Sequence, residues 1–164
     1  MKAVLFDLDG TLIDTAADFI RIIQQMCRDA RRPVVEADLI RTQVSEGARA
    51  MVKLVYPELA IDDATFLAHR QDFLDRYGQQ IVVETDLFEG MYPLLEMLEQ
   101  NQIPWGIVTN KPRNLSEPLL EALDLQQRCS VLVCPDDVTH AKPHPEPMFL
   151  AAKQLRSEEH TSEL

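Results

Sequence analysis

AVLFDLDGTLIDT, residues 3–15, decides how this chain reads. Ala3 to Phe6 is short and unbrokenly apolar, the pattern of a strand buried on both faces in a parallel sheet. The run ends on Asp7, and a second carboxylate, Asp9, stands one residue on. Gly10 then allows a sharp turn. Carboxylates this close repel each other, so the pair asks for a chemistry that uses them.

Outward from that stretch the pattern turns helical, from Thr15 to about Gln80. Phe19, Ile22, Ile23, Met26 and Cys27 fall at helical spacing, and Arg31, Arg32 and Pro33 end that helix. Ser45 is the expected cap of a second helix carrying Ala48, Met51, Val52 and Val55, which Pro57 stops. Asp62 or Asp63 caps a third, with Phe66, Leu67, Phe73, Leu74 and Tyr77 on one face. No β signal interrupts this block. A helix with Leu94, Leu95, Met97 and Leu98 on its buried face follows. Then come a buried strand over 104–109, a helix over 114–123, a strand over 130–134 and a last helix with Pro145 at its first turn.

Alternating strands and helices predict an α/β fold, a doubly wound parallel sheet, with an all-helical insert after the first strand. The expected boundaries are 1–14 and 84–155 for the sheet domain and 15–83 for the insert. In such sheets ligands sit beyond the carboxyl ends of the strands. Asp7, Thr109 and the loop after Cys134 all lie at such ends.

Bulk composition narrows the partners. The chain has 164 residues, one average domain, and is 46% hydrophobic, enough for a core. Its net charge of -11 repels a phosphate backbone, so nucleic acid is excluded as an expected partner. A small phosphorylated metabolite is not, because a local site can be cationic within an acidic surface. Cys27, Cys129 and Cys134 match no zinc spacing and read as buried or free thiols of a reducing compartment. No signal peptide and no stretch near the ~20 apolar residues of a membrane span is visible. The expected location is the cytoplasm, with no membrane partner; oligomeric state is open.

Several chemistries compete for the two carboxylates. At a strand end Asp7 could bind a metal, act as a base or attack as a nucleophile. Asp9-Gly10 is also a common turn pair. An EF-hand loop is excluded, because its sixth position, counted from Asp7, holds Leu12 where glycine is needed. VTNK, residues 108–111, puts the Thr109 hydroxyl and Asn110 amide at the second strand end, both able to donate to a phosphoryl oxygen. Lys142 lies in AKPHPEP, at the crevice end of the sheet and just before a helix N-terminus suited to anions. Two carboxylates, two donors and a cation suit phosphoryl transfer. A magnesium ion would hold Asp7 and a phosphate together and offset their repulsion.

FDLDGTLID, VTN and KPHPEP resemble motifs one, two and three of the haloacid dehalogenase superfamily, over Met1 to about Leu155. The helical insert resembles the C1 cap of its phosphoglycolate phosphatase-like branch. The resemblance implies a magnesium-dependent phosphatase. Asp7 would be the nucleophile, forming an aspartyl-phosphate, and Asp9 the general acid and then the base that activates water. Asp7, through its carboxylate, and Asp9, through its carbonyl, would bind Mg2+. Thr109 and Asn110 would hold the phosphoryl group and Lys142 would neutralise charge. Arg49, in SEGARAM, is the candidate substrate contact from the cap. FEGM, WGIVTNKP and CPDDVTHAKPHPEP look like phosphoglycolate phosphatase relatives, including those acting on N-acetylmuramic acid 6-phosphate.

One part of the family pattern has no match: the acidic pair after a fourth strand that completes the magnesium site. The last nine residues, RSEEHTSEL, resemble a translated sequencing adapter, and the expectation is that the natural chain continues past Leu155. The 164-residue chain is then expected to bind magnesium weakly and to turn over little, with its first strand left as an apolar edge. A phosphomutase, which uses the same residues, and an inert fragment are the alternatives. A phospho-acceptor signalling domain is a third. Its acceptor aspartate would follow the third strand, however, and it would carry no long helical insert.

Overall fold

The computed structural model describes residues 3–162, with side chains through Arg156. The chain divides into two compact units. One comprises residues 1–13 and 87–164, the other 14–86.

The first unit is built on a three-stranded parallel sheet in the order β1 (Val4–Phe6), β4 (Trp105–Val108), β5 (Val131–Val133). Leu5 lies opposite Gly106, and Gly106 opposite Val131. β4 is buried at all four positions, as expected of a central strand in a parallel sheet. Gly106 is required there by packing. A Cβ on it would lie 2.3 Å from Val131 Cγ1 and 2.8 Å from the Val131 carbonyl oxygen. Trp105 packs edge-on to Phe6 at 6.2 Å, and its indole N–H donates to Glu99 at 3.0 Å. Each such buried aromatic adds its large apolar area to the core while its polar edge stays satisfied.

β1 departs from expectation. Val4, Leu5 and Phe6 are half-buried, not buried on both faces. Among the described residues β1 pairs with β4 alone, so it is an edge strand and one flank of it lacks cover.

Helices α5 (Met91–Gln100), α6 (Arg113–Ala122) and α7 (Glu146–Ser162) complete this unit. Of the expected α5 face, Leu95 and Leu98 are buried, whereas Met97 is half-exposed. Ala151 and Leu155 of α7 pack on Val108, Val131 and Val133 of the sheet. The backbone of α7 runs to Ser162, past the boundary expected at Leu155.

The second unit is helical: α1 (Ala16–Asp29), α2 (Ala37–Thr42), α3 (Ala48–Val55) and α4 (Ala64–Gln79). All five apolar residues read along α1 are buried, and Phe19 meets Phe73 and Tyr77 edge-to-face at 5.3 and 5.1 Å. Asp63 caps α4, its carboxylate accepting the Thr65 N–H at 2.7 Å. Leu67 falls outside the α4 core face, and Leu74 is half-buried. Leu67 is 46% exposed, and only Phe66, Phe73 and Tyr77 are buried. Ser45 is not a cap either. It sits in a short 3-10 turn, and Gly47, at φ +79°, begins α3 instead. That backbone conformation suits glycine, so a backbone turn does what a serine side chain was expected to do.

Two short strands escaped the sequence reading: β2 (Ile13–Asp14) and β3 (Asp86–Leu87), which pair with each other where the chain leaves and re-enters the sheet unit. Within the helical unit Asp18 is fully buried. Its carboxylate accepts the Thr85 hydroxyl at 2.6 Å, the Thr85 N–H at 3.1 Å, the Glu84 N–H at 3.2 Å and Arg21 Nη2 at 2.7 Å. Burial pushes this carboxyl up; the Thr85 hydroxyl, Arg21 and the Glu84 N–H outweigh it and hold the group below its ordinary value. Among the described residues no helix is long and apolar enough to cross a membrane.

Candidate active site

The three parallel strands bring their carboxyl ends to one edge of the sheet, and the sequence-predicted groups of the sheet unit gather there. Asp7 follows β1 directly. Its Oδ1 accepts the Leu8 N–H at 2.8 Å, which fixes the side chain against its own backbone. Lys142 Nζ lies 2.7 Å from the same oxygen. Oδ2 accepts no hydrogen bond among the described residues. The nucleophile candidate therefore has one oxygen held and one free to react or to bind.

The turn after Asp7 is tight. Leu12 and Ile13 both donate their N–H groups to the Leu8 carbonyl, Gly10 donates to Ile13, and Gly10 takes φ +79°. That geometry stations Asp9 at the rim, with its side chain 14% exposed. Its Oδ1 lies 2.9 Å from Lys111 Nζ, a side chain only 6% exposed. Lys111 is the site residue that sequence reasoning missed. It closes the VTNK stretch, and its place at the end of a buried strand was the available signal.

Thr109 is buried, with its N–H donated to the Val133 carbonyl at 3.0 Å. Its hydroxyl oxygen accepts the Lys111 N–H at 3.0 Å, and the hydroxyl proton remains free to donate elsewhere. Asn110 spends one amide N–H on the Lys142 carbonyl at 3.1 Å. It thus ties the second strand's loop to the loop carrying the lysine. Arg49 lies in the helical unit, exposed in the first turn of α3.

Around the β5 end, Asp137 Oδ2 accepts the Cys134 N–H at 2.8 Å and pairs with Arg113. Glu146 accepts the N–H groups of Thr139 at 2.8 Å and His140 at 2.9 Å, ordering the loop from which Lys142 projects. These bonds, the Thr139 N–H first, hold Glu146 below the usual carboxylate value. Cys27, Cys129 and Cys134 form no disulfide among the described residues, and burial pushes the Cys134 thiol up to about 11. A thiol so protonated is a weak nucleophile near neutral pH.

The donor chemistry fits a hard divalent cation. Asp7 offers its carboxylate and Asp9 its backbone carbonyl as oxygen ligands.

Comparison with known proteins gives the family. The family model of haloacid dehalogenase-like hydrolases matches residues 4–162. N-acetylmuramic acid 6-phosphate phosphatase of Pseudomonas putida is 47% identical over 157 residues, covering 94% of this chain and 69% of that protein. Phosphoglycolate phosphatase of Xanthomonas campestris is 40% identical over 154 residues, with 94% and 69% covered. The crystal structure of a predicted phosphoglycolate phosphatase from Haemophilus somnus superposes with a TM-score of 0.80 at 24% identity, over 94% of this chain and 72% of that one. That last likeness speaks to the fold. The chain belongs to the haloacid dehalogenase-like hydrolase family, in the company of relatives that are phosphatases.

Proposed function

We propose that this chain is a phosphatase of small phosphomonoesters that uses Mg2+ and an aspartyl-phosphate on Asp7, with the low turnover expected where the acidic pair that completes the magnesium site has no match. The contact that carries the reading is Lys142 on Asp7, 2.7 Å, a cation beside a carboxylate whose second oxygen is free. Lys142 then neutralises the charge of an incoming phosphoryl group, and the Thr109 hydroxyl donates to one of its oxygens. Asp7 Oδ2 attacks phosphorus, and the bond to the substrate oxygen breaks as that oxygen takes a proton from Asp9. In the second half Asp9 takes a proton from water, which attacks phosphorus, freeing the Asp7 carboxylate and phosphate. Lys111 positions Asp9 for both transfers. Asn110 holds the Lys142 loop in register. The Asp7 carboxylate and the Asp9 carbonyl would hold Mg2+, which would offset the repulsion between Asp7 and the phosphoryl oxygens.

For the substrate we favour N-acetylmuramic acid 6-phosphate, the compound named for the relatives at 46 and 47% identity. 2-Phosphoglycolate is the comparison substrate. Both carry a carboxylate besides the phosphate, and Arg49 is the candidate contact for it. Support comes from charge in the helical unit: burial first, and then the charge of Arg49, hold Arg70 below its ordinary value, the mark of repulsion between cations. An anion relieves it. Phosphate release from the two esters, measured side by side with Mg2+, tests the reading. Faster release from the sugar acid ester is expected. An isomerised product with no free phosphate would make the chain a mutase, and release from an unrelated phosphomonoester with none from these two would overturn the substrate class. The cytoplasm remains the proposed location.

A further inference from the structure

The segment THAKPHPE, residues 139–146, holds more chemistry than Lys142 uses. His140, His144 and Glu146 converge there, each offering a ligand atom, all within 4.8 Å of one another. Glu146 Oε2 lies 3.1 Å from His140 Nδ1 and 3.9 Å from His144 Nδ1. The imidazole rings are 4.7 Å apart at 37°. We infer that His140, His144 and Glu146 form a site for a transition-metal dication of the zinc type, on the loop that carries Lys142.

The spacing argues for it. Zinc bonds of about 2.0–2.1 Å put neighbouring tetrahedral donors about 3.3 Å apart. The two carboxylate–imidazole separations bracket that distance. Little has to move, because the glutamate is already pinned by the N–H groups of Thr139 and His140 and each carboxylate oxygen keeps a further lone pair. The imidazoles are 63 and 50% exposed, so both rings can adjust. His144 Nδ1 now accepts the Glu146 N–H at 3.2 Å, and coordination exchanges that long bond for the metal. Two imidazoles and one carboxylate select zinc, nickel or copper over magnesium, which asks for oxygen ligands in near-octahedral order. A fourth position is left for water. The charge nearest in sequence is Lys142, and its ammonium is directed onto Asp7. The site shares no residue with the Asp7–Asp9 pair. Its consequence is mechanical: a metal joining residues 140, 144 and 146 braces the loop from one side, as Asn110 braces it through the Lys142 carbonyl from the other.

The test is calorimetric titration of the metal-stripped chain with Zn2+ in large excess Mg2+, for the unsubstituted chain, Asp7→Asn and the double variant His140→Gln, His144→Gln. Circular dichroism confirms that each variant folds. One equivalent of Zn2+ is expected in the unsubstituted chain and in Asp7→Asn, with loss of that equivalent in the double variant. No stoichiometric uptake, equal uptake by the double variant, or loss in Asp7→Asn would each overturn the assignment.

Discussion

Lys111 Nζ sits 2.9 Å from Asp9 Oδ1, and both side chains are largely withdrawn from solvent. The second carboxylate of the opening motif is therefore held by a cation of its own, distinct from the Lys142 that serves Asp7. A charge so buried is costly to leave unpaired. Lys111→Met keeps the side chain's length and removes the charge. Turnover should fall roughly 10²-fold, the low end of what a positioned acid–base group contributes, with KM little changed. Unchanged kcat in a folded variant would remove Lys111 from the machinery.

Asp18 is the structural counterpart inside the helical unit. Asp18→Ala strips an acceptor from Thr85, Glu84 and Arg21 together and should cost about 3 kcal/mol, read by urea unfolding. Its pKa is lowered in the folded chain, so its contribution is present above the unfolded value of about 3.9 and is lost as pH falls through the folded value. Stability below about pH 4 should accordingly fall more steeply in the unsubstituted chain than in Asp18→Asn. Parallel acid profiles would show that the carboxylate does not carry this stability.

Gly106 marks the closest approach of β4 to β5. Gly106→Ala forces its methyl into Val131, including that residue's backbone, and should destabilise the chain by about 1–3 kcal/mol. A thermal melt at the unsubstituted midpoint would contradict the strand spacing described.

Much of this was legible in the sequence. The run ending at Asp7 announced a strand, and 104–109 and 130–134 announced its parallel partners, because apolar continuity over a few residues is a strong signal. The meeting of Asp7 with Lys142, 135 positions apart in sequence, followed from strand ends sharing an edge. Other features left weaker traces. β2 and β3 are two residues each, too short for any periodicity to show. Gly47 starts α3 by backbone conformation, which mimics no side-chain cap signature. Leu67 looks like core by spacing, yet burial of Phe66, Phe73 and Tyr77 already fills that face. Lys111 left a weak trace because its partner, Asp9, is 102 residues away and only the fold joins them.

The central claim is that Asp7 is the atom donor to phosphorus. A single turnover suffices to test it: mix the chain with N-acetylmuramic acid 6-phosphate and Mg2+, quench, reduce with borohydride and map the peptides by mass spectrometry. Borohydride converts an aspartyl-phosphate to homoserine. Homoserine at position 7, absent in Asp7→Asn, is the expected result. Homoserine at position 9 instead, or phosphate release that persists in Asp7→Asn, would contradict the account.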